Sequence, residues 1–283
     1  MGGFATWLLA VSVGFLAVRF LRVGAGDLLA ARVLQRVNYR GVALPGAAGI
    51  LVVFAVLLVE AGRSGFGALG AGDVSGLTME RSLVLFAVFG FGLLGFVDDL
   101  LAEGETSGFR GHLRAAAHGR LTTGFVKLCG GAGVAVVLVA TPGFASGRRL
   151  MIDAVLVALA ANLGNLLDRR PGRVIKAGIV AYVPLAVALG SGPVGMAVAP
   201  VMGAIVGLLP DDLRERVMLG DTGANVIGAV LGLGVVLGCG EGTRLVVLAA
   251  VVALNVAAEI VSFTKIIESA DVLRRIDDWG RPD

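Results

Sequence analysis

About nine apolar stretches, each close to the length of a membrane-crossing helix, follow one another through the 283 residues with only short polar joints between them. They fall near Phe4–Leu21, Leu44–Glu60, Ser82–Val97, Leu121–Thr141, Leu150–Leu167, Val174–Leu189, Pro193–Leu209, Thr222–Cys239 and Arg244–Phe263. A spanning helix needs roughly 17–25 mostly apolar residues. Inside hydrocarbon the backbone must satisfy its own N–H and C=O groups, so stretches of this length specify helices. Only 16% of residues are charged, against about 25% in soluble domains. The expected fold is an all-α polytopic integral membrane protein of about nine transmembrane helices. It forms a single transmembrane domain over 1–283, with a charged cytoplasmic tail at 264–283.

Orientation follows from the basic residues, which accumulate on the cytoplasmic side of membrane proteins. With the N-terminus outside, 18 of the 24 Lys and Arg residues fall in inner segments. Outer segments hold only Arg63, Arg81, Arg148, Arg149 and Arg244, and Arg19 lies within its span. The opposite topology would invert the ratio, so the N-terminus is expected outside and the C-terminus in the cytoplasm. The first span has no basic residues ahead of it, and Arg19 and Arg22 come late, the pattern of a retained anchor rather than a cleaved signal. The tail Lys265–Asp283 is expected to form an amphipathic surface helix, and Arg22–Gly41 to do likewise.

Composition also excludes classes. Net charge is +3, aromatic residues make up 6%, and no basic run interleaved with aromatics appears, so nucleic-acid binding is not expected. Cys129 and Cys239 should lie near opposite faces, too far apart to pair. Abundant Gly and Ala suit close helix packing in lipid.

Three acidic clusters then stand out, each at the inner end of a span: Asp98-Asp99 in GFVDDL, Asp168 in NLGNLLD, and Asp221 in MLGDTG. A carboxylate beside hydrocarbon needs a partner, and four of them gathered from distant stretches suggest a divalent-metal site facing an anionic substrate. Adjacent residues on a helix point about 100° apart, so one of Asp98 and Asp99 could hold metal while the other faces substrate. The competing reading is a solvated helix end, although Asp is unfavourable at a helix C-terminus, where the macrodipole is already negative. Asn162, Asn165 and Asp168, spaced three apart, share one helix face in a span of Leu, Ala and Val. That stripe should face the bundle interior, for substrate or for bonds between helices. Arg169, Arg170 and Arg173 could clamp phosphates or simply anchor topology. Asp221 could hold metal or cap a helix. Lys127 could meet a lipid phosphate or snorkel to the headgroups. His112 and His118 read as solvated loop residues.

In combination these segments resemble the polyprenyl-phosphate N-acetylhexosamine-1-phosphate transferase family, which includes the phospho-N-acetylmuramoyl-pentapeptide transferases. The matching residues are Gly95–Asp99, Asn162–Asp168 and Met218–Gly223, in the family's order and spacing, with Arg40–Gly49 resembling its Pro/Gly-rich segment before the second helix. The resemblance implies transfer of a sugar-1-phosphate from a UDP-sugar to undecaprenyl or another polyprenyl phosphate, releasing UMP. It also implies Mg2+, with Mn2+ as an alternative, an inner-membrane location with the active site on the cytoplasmic face, and a role in cell-envelope glycan synthesis. Carried over, Asp98 and Asp99 position or deprotonate the lipid phosphate, and Asp221 with Asp99 holds the metal. Asp168 and Asn165 serve the nucleotide side, joined by Asn162, Arg169, Arg170 and Arg173, and Lys127 meets a phosphate. A homodimer or an envelope-synthesis partner is compatible with this reading. Two departures are visible: Asp168 is followed by Arg169-Arg170-Pro171-Gly172-Arg173 instead of a further Asp-Gly pair, and the tail Lys265–Asp283 lacks the family's histidine-rich loop and further helix. The sugar is therefore left open. The alternatives are a catalytically silent relative that scaffolds envelope synthesis and an ion-coupled transporter using the Asn162/Asn165/Asp168 stripe.

Overall fold

The computed structural model describes residues 2–71, 76–101, 122–140 and 146–282; His112 and His118 lie outside them. The chain runs α1 (Gly3–Gly24), a short α2 (Gly26–Leu29), strands β1 (Gln35–Val37) and β2 (Ala43–Pro45), and then α3 (Ile50–Ala68) and α4 (Met79–Leu101). It continues through α5 (Thr123–Ala140), α6 (Gly147–Leu167), α7 (Arg173–Leu189), α8 (Pro193–Leu213), α9 (Gly220–Gly238) and α10 (Glu241–Ile260), and closes with α11 (Phe263–Ser269) and α12 (Asp271–Asp278). Among the described residues eight helices are long and apolar enough to cross a membrane. The ninth expected span is α7, whose 17 residues give roughly 26 Å at 1.5 Å each.

The bundle is organised around α9. Its Gly- and Ala-rich face lets α4, α6, α7 and α8 close in on it. At the other extreme α1 packs on α8 and α10 on α6, and both present mostly exposed apolar side chains, as lipid-facing helices do. The α7–α8 hairpin turns in the three residues 190–192, with Gly190 at φ +54° and Pro193 opening α8, where its missing N–H costs nothing. At the end of the bundle opposite the three motifs, acids are matched by arginine. Arg81 Nε donates to Glu60 Oε2 at 2.7 Å, and Arg244 Nη1 to Asp153 Oδ2 at 3.0 Å.

Two expectations are corrected. Arg22–Gly41 is not a surface helix: past α2 it enters an antiparallel hairpin pairing Arg36 with Leu44. The reversal has a local cause, because Asn38 Oδ1 accepts from Arg40 N and Val42 N and Gly41 takes φ +80°, a turn that a helix cannot contain. The second span begins at Ile50 rather than near Leu44, because Pro45 O accepts from Met218 N while Ala48 N and Gly49 N donate to Met218 O and Leu219 O. Those bonds hold the Pro/Gly segment extended against the approach to α9.

The tail is helical, as expected, and it is clasped. Val272, Leu273, Ile276 and Trp279 stay exposed while Asp277 turns inward. Arg173 donates to both Asp277 oxygens at 2.9 and 2.8 Å, Arg281 pairs with it at 2.9 Å, and Lys176 donates to the carbonyls of Ile276, Asp277 and Trp279. Burial pushes the Asp277 carboxyl up, but the hydrogen bonds and charges of Arg173 and Arg281 outweigh it and hold it below the ordinary carboxylate range. A depressed pKa contributes stability that is present above the unfolded value and lost as pH falls through the folded one. The clasp should therefore hold at neutral pH and loosen only below about pH 4. Limited proteolysis of the tail at pH 7 and pH 3 checks this; equal protection at both would count against it.

Candidate functional site

Alternating helix direction brings the C-terminal ends of α4, α6 and α8 to the same end of the bundle as the N-terminal ends of α5, α7 and α9. All three motifs meet there. Asp98 and Asp99 sit in the last turn of α4 and diverge as adjacent helical residues must. Asp99 turns to the start of α9: Oδ1 accepts from Asp221 N at 2.8 Å, and Oδ2 from Thr222 N at 2.9 Å and Thr222 Oγ1 at 2.5 Å. The residue preceding α9 is Leu219, which offers no side-chain cap, so Asp99 supplies the cap from a different helix. Two adverse charges thereby meet to mutual benefit, a carboxylate at the negative end of α4 and the exposed amides at the positive end of α9.

Asp98 turns the other way. Lys127 Nζ, in the first turns of α5, donates to Asp98 Oδ2 at 3.1 Å and to Asp221 Oδ2. One ammonium thus joins α4, α5 and α9, with all three side chains partly buried. Snorkelling does not describe this lysine, since its head is held by two carboxylates.

Asp168 closes α6, its backbone N donating to Asn165 O at 3.1 Å, while its carboxylate makes no hydrogen bond or ion pair among the described residues. Burial, followed by the negative charges of Asp212, Asp221 and Asp99, pushes its carboxyl well above the ordinary range, with Arg169 opposing. Five carboxylates, Asp98, Asp99, Asp168, Asp212 and Asp221, therefore share this region with fewer cations, Lys127 and Arg169 at the motifs and Lys176 and Arg281 on the side of Asp212. Among the described residues the buried acids Glu60 and Asp153 at the other end are matched by arginine, whereas here the five carboxylates outnumber the cations near them. One turn before Asp168, the buried Nδ2 of Asn165 has no hydrogen-bond partner among the described residues. An unmet donor and unbalanced carboxylates together describe a surface suited to a cation and a polar ligand.

Close backbone approach underlies this geometry. Gly220 takes φ +73°, and a Cβ there would collide with Gly46 O and press on the Asp99 carboxylate. A Cβ on Gly95, one turn before Asp99, would overlap the Asp221 carbonyl. Only glycine lets α4 lie near enough to α9 for Asp99 to cap it.

The structure thus brings together Asp98, Asp99, Lys127 and Asp221, with Asp168, Asn165 and Arg169 beside them. The remaining candidates meet other side chains. Asn162 Nδ2 donates to Asn255 Oδ1 of α10 at 2.7 Å, Arg170 lies over the Tyr39 ring at 4.2 Å and pairs with Glu268, and Arg173 is 4% exposed in the Asp277 clasp. Sequence reading overlooked Asp212, although Asp211-Asp212 at the end of α8 repeats the signal of Asp98-Asp99. It also overlooked Thr222, whose hydroxyl completes the cap. Among the described residues no three His, Cys, Asp or Glu side chains are already arranged around one metal position. The donor set is nevertheless all carboxylate oxygen, the kind that Mg2+ takes, and its surplus negative charge fits a divalent ion.

No protein-family model matches the chain. It is 29% identical over 199 residues to a phospho-N-acetylmuramoyl-pentapeptide-transferase of Deinococcus radiodurans, an alignment covering 66% of this chain and 59% of that protein. It is 29% identical over 204 residues to the protein of the same name from Shouchella clausii, covering 66% and 58%. The chain thus spans under three-fifths of the length of these curated relatives. The likenesses support a divergent member of that family.

Proposed function

We propose that this divergent relative of the phospho-N-acetylmuramoyl-pentapeptide-transferases transfers a sugar-1-phosphate from a UDP-sugar to a polyprenyl phosphate. An oxygen of the lipid phosphate bonds to the sugar-bearing phosphorus as the bond to UMP breaks. The observation that carries the reading is the Lys127 ammonium held between Asp98 and Asp221, from two separate motifs, with Asp168 of the third within electrostatic reach. The basic-residue asymmetry supports a cytoplasmic position for this end of the bundle, where a soluble nucleotide sugar would arrive and a lipid phosphate would lie at the interface.

Both substrates are polyanions, and the main obstacle is bringing them together. Mg2+, when bound, supplies positive charge to the diphosphate. Asp221 would hold it, with Asp98 and Asp168 flanking and Asp99 fixing the Asp221 backbone. Lys127 exchanges a carboxylate for a substrate phosphate. Asp98, released from the ammonium, accepts a proton from the lipid phosphate or orients it. Asn165 Nδ2 donates on the nucleotide side, next to Asp168 and Arg169.

The test is UMP release by purified protein in detergent with undecaprenyl phosphate, Mg2+ and a panel of UDP-sugars. Turnover with one donor is expected, lost with EDTA and restored by excess Mg2+. Folded protein that stays silent with every donor would overturn the reading and favour a silent scaffold, whereas solute flux in liposomes without chemical product would favour a transporter.

A further inference from the structure

Asp212 lies in the last turn of α8, 3% exposed, and belongs to none of the three motifs. Its neighbour Asp211, 4% exposed, is matched by Arg19, Arg22 and Arg216. Asp212 has no ion pair among the described residues. Its oxygens take two backbone amides instead: Oδ2 accepts from Gly172 N at 2.6 Å and Oδ1 from Leu219 N at 3.1 Å. Gly172 is the residue before α7, at the end of the short loop that begins with Asp168, and Leu219 is the residue before α9, two positions from Asp221. A buried carboxylate without a contacting counter-ion is costly, and Arg281 and Lys176 act on this one only from beyond ion-pair distance. Among the described residues its hydrogen bonds go to the two loops that carry the acids of separate motifs.

We infer that Asp212 is a positioning residue, setting the separation between the Asp168 loop and the Asp221 helix start. The inference rests on the transferase reading above. The physical argument is one of rigidity. Helix ends fray, and these two meet only through non-covalent contacts. A single carboxylate bonded to both N-termini makes their separation a property of one side chain. Asp99 holds the amides of Asp221 and Thr222, so three of the four backbone donors from Leu219 to Thr222 are taken by acids from α8 and α4. Misplacement by even a fraction of an ångström acts directly on a site that works by orientation.

Asp212→Asn tests it. Two N–H donors face the side chain, and an amide carries only one acceptor oxygen, so one loop must be released whichever way it turns. The KM for the UDP-sugar should rise about tenfold, the scale of one lost buried hydrogen bond, while the KM for the lipid phosphate changes less than about twofold. Asp211→Asn, one residue away and stripped of its arginine pairing, should lower the melting temperature without that split. Hydrogen exchange at Gly172 and Leu219, which needs no turnover, should quicken in Asp212→Asn and not in Asp211→Asn. If the amide variant does not fold, Asp212→Glu keeps both acceptors one methylene further out and should show the same donor-selective rise. Equal rises in both KM values, or unchanged exchange at the two amides, would overturn the inference. A wild type without turnover would count against the transferase reading instead, and the exchange data would still decide whether Asp212 ties the loops.

Discussion

Asp221→Asn should leave a folded protein whose UMP release falls by about two to three orders of magnitude, the scale of losing one preorganised charge at a reacting centre. The amide is isosteric, and the backbone of residue 221 remains held by Asp99 Oδ1 at 2.8 Å, so the start of α9 should keep its place. What changes is charge. Lys127, now shared between Asp98 and Asp221, would keep Asp98 alone, and the carboxylate proposed to hold Mg2+ would be gone. The informative pair of measurements is melting temperature and turnover on the same preparation. A variant that melts within a few degrees of wild type and retains more than a tenth of its rate would remove Asp221 from the proposed chemistry.

Gly228→Val should produce the largest loss of stability, at least about 3 kcal/mol, beyond most single substitutions and reserved for overpacking that cannot relax. Gly228 lies in the middle of α9 against α6. A Cβ there would overlap the carbonyl oxygen of Ala160 and crowd the backbone of Ala161. These are backbone atoms, so no rotamer change gives way and the two helices must separate. Across the same seam a Cβ on Gly164 would meet the Ala224 carbonyl, so the contact is glycine-dependent from both sides. For a chain of this size the expected fall in melting temperature is roughly 6–12 °C. Gly133→Val provides the comparison: nothing lies near that position on the exposed side of α5, and its melting temperature should hardly move. A similar fall in both would place the effect in helix propensity instead of packing.

Much of the fold was legible because hydrocarbon leaves the backbone few choices. Each of the nine apolar stretches corresponds to a helix among the described residues, eight of them long and apolar enough to cross a membrane and the ninth the shorter α7, which a three-residue turn joins to α8. The misreadings share one cause. Leu44 and Arg22–Gly41 are apolar or amphipathic enough to suggest helix, yet their conformation is decided by partners distant in sequence, Met218 and Leu219 for the Pro/Gly segment. The candidate site divided in the same way. Asp98, Asp99 and Asp221 stood out as carboxylates at span ends. Nothing local separated Arg173, clasped by Asp277 a hundred residues on, from Arg169, which lies beside Asp168.

The sequence by itself determined that the chain crosses a membrane repeatedly, and that its unusual acids lie at helix ends sharing one face. Periodicity, length and charge placement are local properties, and each acts through desolvation of one segment at a time. Which acid meets which partner was decided only by the tertiary structure. Asp99 became the cap of another helix, Asp98 and Asp221 came to share one lysine, and Asp212 came to hold two loops. Each outcome depends on the relative position of helix ends to within a hydrogen bond, and that position is set by glycine contacts between whole helices.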